Sequence, residues 1–205
     1  MWETAMYVIL GYLSGSVLYA RVFTGIFRKE GAIDHSRDQN PGTANAFLHG
    51  GFWCGMLTLA GDLLKGFLPV FLFVHAAMPK RPDALLSALV LAAPVAGHAF
   101  PIFYEFRGGK GIAVSFGCLL GLFPFWKPVA ALALFFIFFS VVIRVTPHYH
   151  RTLVTYLCAL TAVLCMSDGK AVKAGFFLIT VTVCGRLLFS REEKQDMEVK
   201  LLWKH

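Results

Sequence analysis

Charged residues are scarce in this chain. Only 15% of its 205 residues are Asp, Glu, Lys or Arg, whereas 57% are hydrophobic and 20 are Phe. A soluble domain of this length could not remove so much apolar surface from water, which excludes a soluble globular fold. The charges separate apolar runs of about 15 to 25 residues, the length that a helix needs to cross about 30 Å of hydrocarbon. We therefore expect an integral membrane protein.

Other absences exclude classes of function. The five cysteines lie in apolar runs without CxxC spacing, so they are interpreted as small buried hydrophobes and predict neither metal nor disulfide. The GxxxxGK[ST] spacing of a nucleotide-hydrolysing loop is missing. The N-terminus lacks the basic region of a secretory signal, so we expect the first apolar run to be retained. No repeat, low-complexity stretch or long linker is present, which predicts one domain over residues 1–205.

The apolar runs predict an all-α, polytopic membrane bundle of about seven transmembrane helices. They lie at about residues 4–27, 51–76, 84–104, 112–124, 128–143, 152–167 and 171–189. The fourth run is short and directly follows a glycine cluster, so the sequence is also compatible with six helices.

The distribution of Lys and Arg predicts the orientation, because these residues accumulate in cytoplasmic loops. With seven helices and an outside N-terminus, thirteen of the 19 cations lie on the cytoplasmic side and five on the other, with Lys65 inside a span. The C-terminus is then cytoplasmic. The net charge of +7 is explained by this topology and by affinity for anionic lipid, so we expect no nucleic-acid partner.

Two polar loops on the predicted cytoplasmic side carry the candidate site. The first, residues 28–45, is dense in turn-forming and hydrogen-bonding residues and contains a tight Asn-Pro-Gly turn. Its length favours a binding loop over an ordinary hydrophilic connection. Its candidate substrate-binding residues are Arg37, Asn40, Gly42, Thr43 and Asn45.

The second loop precedes an apolar helix that opens at Ile112, and it contains Arg-Gly-Gly-Lys-Gly at residues 107–111. Glycines let successive N–H groups point into one concavity, and a helix N-terminus adds positive potential. Arg107 and Lys110 add full charges suited to phosphate oxygens. The alternative is a glycine turn whose cations anchor the helix to lipid headgroups. The predicted phosphate ligands are Arg107, Gly108, Gly109, Lys110 and Gly111.

Three other polar features have two interpretations each. His98 is either a catalytic residue beside the second loop or a hydrogen-bonded structural histidine. Asp62 and Lys65 lie three residues apart on one helix. They are either a functional pair or a pair whose charges neutralise each other. His148 and His150 lack a third ligand or a carboxylate, so they are interpreted as interfacial histidines and not as a metal site.

Together these segments resemble the PlsY-type family of acyl-phosphate:glycerol-3-phosphate acyltransferases. The similarity includes residues 11–16, 40–45, 62–66, 97–101 and 106–111, and Gly-His-x-Phe-Pro followed by Gly-Gly-Lys-Gly is its most specific part. The resemblance implies seven transmembrane helices in a bacterial plasma membrane and an active site facing the cytoplasm. It also implies transfer of a fatty acyl group from acyl phosphate to the 1-position of glycerol 3-phosphate, giving lysophosphatidic acid. Lys110, Asn45 and His98 are the expected catalytic residues.

The chemistry of the loops agrees with this reaction. Acyl phosphate is already activated, so the protein has to orient two anions and stabilise an oxyanion, without covalent nucleophile, metal or cofactor. The expected partners are acyl phosphate, glycerol 3-phosphate and membrane lipid. None of the seven histidines begins the His-x4-Asp motif of acyl-CoA-dependent glycerophosphate acyltransferases.

The chain departs from the family pattern at its acceptor residues. Asp38 stands where a serine is usual, Leu48 and His49 stand around a usual arginine, and residues 185–191 lack the usual His and Asn. Arg37, Arg186 or Arg191 are the candidate replacements by charge and position. These departures leave two alternatives open, namely a different phosphorylated or polyol acceptor, or a noncatalytic lipid-binding or transport protein of the same fold.

Overall fold

The computed structural model describes residues 2–29, 31–36, 38–77, 83–166, 169–190 and 196–201. These residues are mostly helical. The α-helices are α1 (Trp2–Gly15), α2 (Tyr19–Ile26), α3 (Thr43–Asn45), α4 (Phe52–Leu72), α5 (Ala84–Ala99), α6 (Ile112–Leu120), α7 (Lys127–Ile137), α8 (His148–Met166) and α9 (Lys170–Leu188). The strands are β1 (Ile143–Thr146) and β2 (Glu198–Leu201).

Five helical segments of the described chain are long and apolar enough to cross a membrane. They are Trp2–Ile26, Phe52–Ala77, Ala84–Tyr104, His148–Met166 and Lys170–Leu188. The other two predicted spans are helical but shorter, since α7 with its π-helical extension ends at Val142 and α6 has 9 residues. The prediction of a polytopic helical membrane protein is confirmed.

A small sheet is the main departure from the all-α prediction. Strands β1 and β2 pair antiparallel, with Ile143 opposite Leu201 and Thr146 opposite Glu198. The fifth predicted span ran as far as residue 143, but the chain becomes extended there because β-branched residues follow one another. The sheet ties residues 198–201 to the connection before α8.

Helix α5 lies at the centre of the bundle, where it packs against both α1 and α9, while α4 packs against α6. Small residues allow this close packing, as is typical of membrane helices. A Cβ at Gly97, for example, would overlap the backbone carbonyl oxygen of Tyr12 on α1. The C-terminal end of α5, which carries His98, is therefore held close to α1.

The first span is interrupted, although the sequence predicted one helix over residues 4–27. Helix α1 ends at Gly15 and α2 begins at Tyr19. Irregular backbone at membrane depth requires internal hydrogen-bond partners. The carbonyl oxygen of Val17 accepts a hydrogen bond from Lys65 Nζ on α4 at 2.6 Å. The interruption thus presents a backbone acceptor to a buried ammonium group.

Candidate active site

Lys65 lies at the centre of a buried polar cluster formed by Val17, Asp62, Lys65 and His98, hereafter the Lys65 cluster. Its Nζ atom is 2.8 Å from Asp62 Oδ1 and 2.8 Å from His98 Nδ1, in addition to the Val17 carbonyl. Two of its N–H groups are thus directed at the Val17 carbonyl oxygen and at His98 Nδ1, and the ammonium group forms an ion pair with Asp62. The side chains of Lys65 and Asp62 are 1% and 2% exposed. This geometry supports the interpretation of Asp62 and Lys65 as a self-neutralised pair, and the cluster joins the first, second and third spans.

His98 is held from both sides. An ammonium group can only donate, so Nδ1 is assigned as the acceptor of the Lys65 hydrogen bond and the ring proton is assigned to Nε2. A Cβ at Gly109 would collide with Nε2, so this nitrogen faces the glycine loop closely. The N–H of Gly109 donates to the His98 carbonyl oxygen at 3.0 Å. These contacts favour a role for His98 in positioning the loop.

Asp38 connects the two polar loops. Its Oδ2 atom accepts a hydrogen bond from Lys110 Nζ at 3.1 Å, which is also an ion pair. Its Oδ1 atom lies 2.7 Å from the Asn45 amide nitrogen and 3.2 Å from the backbone N–H of Asn40. The Asn45 nitrogen is also 3.0 Å from Ser36 Oγ. Asp38 therefore fixes Lys110 and Asn45, two of the predicted catalytic residues, with respect to each other.

The Asp38 carboxylate is stabilised in its charged form. Burial by itself would raise its pKa, but the Asn45 amide, the Lys110 ammonium and the Asn40 N–H together hold the pKa below the usual value. A carboxyl group with a lowered pKa stays ionised at neutral pH, and its ion pair is lost only as the pH falls through that lowered value. The Asp38–Lys110 pair is thus intact at physiological pH.

Two adjacent cavities meet at this pair. The first, of about 320 Å³, has a mainly polar surface and is called the polar cavity. It is lined by Arg21, Asp34, Asp38, Gln39, Asn40, Arg107, Gly108, Lys110, Arg186, Phe189 and Ser190. The second, of about 390 Å³, has a mainly apolar surface and is called the apolar cavity. It is lined by Asp38, Asn40, Gly42, Thr43, Ala44, Asn45, Leu59, Asp62, His98, Lys110, Gly111, Ile112, Ala113, Phe116 and His148.

Asp38, Asn40 and Lys110 line both cavities and so form a shared wall. Each cavity has the size of a small-molecule site. A polar compartment and an apolar compartment separated by three hydrogen-bonding side chains can hold a hydrophilic molecule against the head of a lipid.

The glycine loop differs from its prediction in one respect. The N–H of Gly109 donates to the His98 carbonyl oxygen, so it does not point into an anion-binding concavity with its neighbours. The carbonyl oxygen of Gly108 accepts a hydrogen bond from Arg186 Nη2 at 2.8 Å, which fastens the loop to α9. The side chain of Arg107 is 82% exposed at the edge of the polar cavity, and its Nε atom is 4.0 Å from Glu105 Oε2. The loop therefore directs the N–H of Gly109 into the protein, while the side chains of Arg107 and Lys110 line the polar cavity.

The structure brings most predicted site residues together. Apart from Gly109, which lines neither cavity, every predicted residue in the described part of the chain lines at least one of them. Arg37 and Arg191 lie outside the described residues. Sequence reasoning missed Arg21 and Asp34 on the polar side, and Phe116 on the apolar side. Arg21 and Phe116 lie within apolar helical patterns, where nothing in a linear pattern indicates which face lines a cavity.

Comparison with known proteins decides the family. The family model described as glycerol-3-phosphate acyltransferase matches residues 5–197. The chain belongs to this family. The glycerol-3-phosphate acyltransferase of Azotobacter vinelandii is 40% identical over 118 residues, which cover 57% of this chain and 59% of that protein. The glycerol-3-phosphate acyltransferase of Methylobacillus flagellatus is 35% identical over 138 residues, which cover 66% of this chain and 67% of that protein.

Among solved structures of the family, the chain is similar to PlsY, an integral membrane glycerol 3-phosphate acyltransferase. The glycerol 3-phosphate form of PlsY superposes with a TM-score of 0.73 at 23% identity, covering 89% of this chain and 87% of that one. The lysophosphatidic acid form superposes with a TM-score of 0.70. The two proteins share their fold. In sequence, the match to the Azotobacter relative spans less than two thirds of that relative's length.

Proposed function

We propose that this protein transfers a fatty acyl group from acyl phosphate to the 1-hydroxyl of glycerol 3-phosphate, giving lysophosphatidic acid. The observation that carries the proposal is the pair of adjacent cavities with a shared wall. The polar cavity suits a small phosphorylated polyol, and the apolar cavity suits the first part of an acyl chain. Membership of the glycerol-3-phosphate acyltransferase family supports the same reaction.

The reaction needs positioning more than reactive protein groups. The acceptor hydroxyl oxygen bonds to the acyl carbon, the bond from that carbon to the phosphate oxygen breaks, and the hydroxyl proton leaves with inorganic phosphate. Lys110 at the shared wall can stabilise the charge that develops on the carbonyl oxygen and on the leaving phosphate. Asn45 orients Asp38 and Lys110, while His98 positions the glycine loop. In this proposal neither metal nor cofactor takes part.

We extend the proposal to membrane topology. Seven transmembrane helices, with α6 and α7 as the two short ones, place the N-terminus outside and the C-terminus in the cytoplasm of a bacterial cell. The cationic loops around both cavities then face the cytoplasm, which is the source of the soluble acceptor. The acyl chain is supplied from the plasma membrane. The whole chain acts as a single domain.

Donor specificity tests this function. Purified, detergent-solubilised protein with palmitoyl phosphate and labelled glycerol 3-phosphate is expected to form labelled lysophosphatidic acid. Palmitoyl-CoA is expected to give no product, because the proposed chemistry uses phosphate as the leaving group. Product from the thioester alone would overturn the donor assignment. Turnover with glycerol but not with glycerol 3-phosphate would overturn the acceptor assignment.

The position of the glycine loop gives a second prediction. In Gly109→Ala, the added Cβ would collide with the His98 ring and displace the loop. Acyl transfer is expected to fall about tenfold to a hundredfold, because small displacements of reacting groups have effects of this size. Turnover and melting temperature are measured together. Gly25→Ala is the matched control, since its Cβ would meet nothing within 4 Å. Unchanged turnover in Gly109→Ala would show that transfer does not depend on this contact.

A further inference from the structure

The charges around the polar cavity are unequally distributed. Four cationic and two anionic side chains of the described residues line it, namely Arg21, Arg107, Lys110, Arg186, Asp34 and Asp38. An acceptor phosphate monoester carries about −1.5 to −2 charge at pH 7. The surplus of two positive charges matches one such group. Where this surplus lies decides how the acceptor is oriented.

The two carboxylates each neutralise one cation. Asp38 pairs with Lys110 at 3.1 Å, at the shared wall. Asp34 accepts two hydrogen bonds from the guanidinium of Arg21, at 2.9 Å and 3.5 Å. These pairs occupy Lys110 and Arg21 with protein anions. The surplus charge therefore lies on the other two cations.

Arg186 and Arg107 carry that surplus. Arg186 uses Nη2 for the Gly108 carbonyl oxygen, and its buried Nε has no hydrogen-bond partner. Among the described residues, no carboxylate lies within 4.0 Å of the Arg186 guanidinium. Within the described ranges, the ion pair of Arg107 is the long, exposed contact with Glu105. Guanidinium groups bind phosphate oxygens in a planar fork, so a cavity edge with two of them is suited to a phosphate.

We propose that Asp38 is a specificity-determining residue that orients the acceptor. By occupying Lys110, it directs the acceptor phosphate to Arg186 and Arg107 and leaves the acceptor hydroxyl at the shared wall. Before transfer the hydroxyl donates a hydrogen bond to the Asp38 carboxylate, on the side where the apolar cavity presents the acyl donor. During transfer its proton passes to the leaving phosphate. This inference rests on the proposed function and defines how its acceptor binds.

Equilibrium binding of glycerol 3-phosphate tests the phosphate subsite. On purified full-length protein in detergent, titration calorimetry is expected to show at least about tenfold weaker binding for Arg186→Gln, the size of a lost charge-assisted hydrogen bond. Arg107 is exposed, so Arg107→Gln is expected to leave folding intact and to weaken binding severalfold. Arg144→Gln removes an equal charge from β1, away from both cavities, and is expected to bind as the unaltered protein does. Normal binding by both Arg186→Gln and Arg107→Gln would overturn the subsite.

Asp38→Asn tests the orienting role. Without the carboxylate, Lys110 competes for the phosphate, so glycerol 3-phosphate is expected to bind severalfold tighter while kcat falls at least about tenfold, because the hydroxyl is misplaced. A variant with unchanged affinity and unchanged kcat would contradict this role, as would a parallel loss of both that accompanies a lower melting temperature.

Binding and turnover together separate the two proposals. If the unaltered protein binds glycerol 3-phosphate through Arg186 but makes no lysophosphatidic acid, the proposed function fails and the subsite stands. If it makes lysophosphatidic acid and Arg186→Gln and Arg107→Gln bind normally, the function stands and the subsite fails.

Discussion

Replacing Lys65 with alanine is expected to lower the free energy of unfolding by about 3–5 kcal/mol, because it leaves a buried carboxylate without its counter-ion. The change removes the ion-pair partner of the buried Asp62 and also the donor to the Val17 carbonyl oxygen. The loss is expected as a lower melting temperature and a smaller monodisperse fraction of the detergent-solubilised protein. Lys127→Ala, at an exposed helix end, is the matched control and is expected to leave both unchanged.

A double variant separates the charge from the packing. In Asp62→Leu with Lys65→Met, no buried charge remains, and hydrophobic replacement of a buried ion pair is often neutral or stabilising. The double variant is therefore expected to melt above the single variant Lys65→Ala. If Lys65→Ala melts at the temperature of the unaltered protein, the Lys65 cluster does not hold the three spans together.

Replacing Lys110 with alanine is expected to reduce kcat for acyl transfer by about a hundredfold to a thousandfold, the range seen when a preorganised group that stabilises an oxyanion is removed. Lys110 is the only cation that lines both cavities among the described residues. Its removal also leaves the Asp38 carboxylate without its ion-pair partner at the shared wall. The measurement is product formation from palmitoyl phosphate and labelled glycerol 3-phosphate.

The double variant Lys110→Ala with Asp38→Asn identifies which of these two effects dominates. If the activity of the double variant is well below that of Asp38→Asn alone, the cation itself is required at the shared wall. Activity equal to that of Asp38→Asn alone would mean that the single variant Lys110→Ala failed because of an exposed carboxylate, and would contradict the role proposed for Lys110. Lys200→Ala on β2 removes an exposed cation and is expected to keep full activity.

The sequence was sufficient to predict the membrane class, because apolar length and scarce charge do not depend on tertiary contacts. It also indicated the two polar loops whose residues line the cavities, because glycines and cations are concentrated in these short segments. It could not predict the interruption at residues 16–18, because this depends on an ammonium group that arrives from α4. It could not predict β1 either, because strands of four residues are too short for a periodic pattern.

The contacts of individual site residues could not be predicted from the sequence for a similar reason. Gly109 has the composition of an anion-binding loop, yet its N–H is used by a carbonyl 11 residues earlier in the chain. His98 has the chemistry of an acid or base, yet Lys65 and Gly109 contact its two nitrogens. Asp38 was noted as an unusual residue, but only the structure shows that it contacts Lys110. Such roles depend on partners far apart in sequence.

The spacing of Asp62 and Lys65 has a consequence for how the protein enters its membrane. A lone lysine or aspartate at the centre of a helix raises the apparent free energy of membrane insertion by about 2.5–3.5 kcal/mol. Because the two residues lie three apart on α4, the helix carries its own counter-ion before any other span is beside it. Insertion of α4 does not have to wait for His98, which is synthesised later. The backbone of Val17, on a span made earlier, and the ring of His98 complete the contacts of a pair that is neutral by itself.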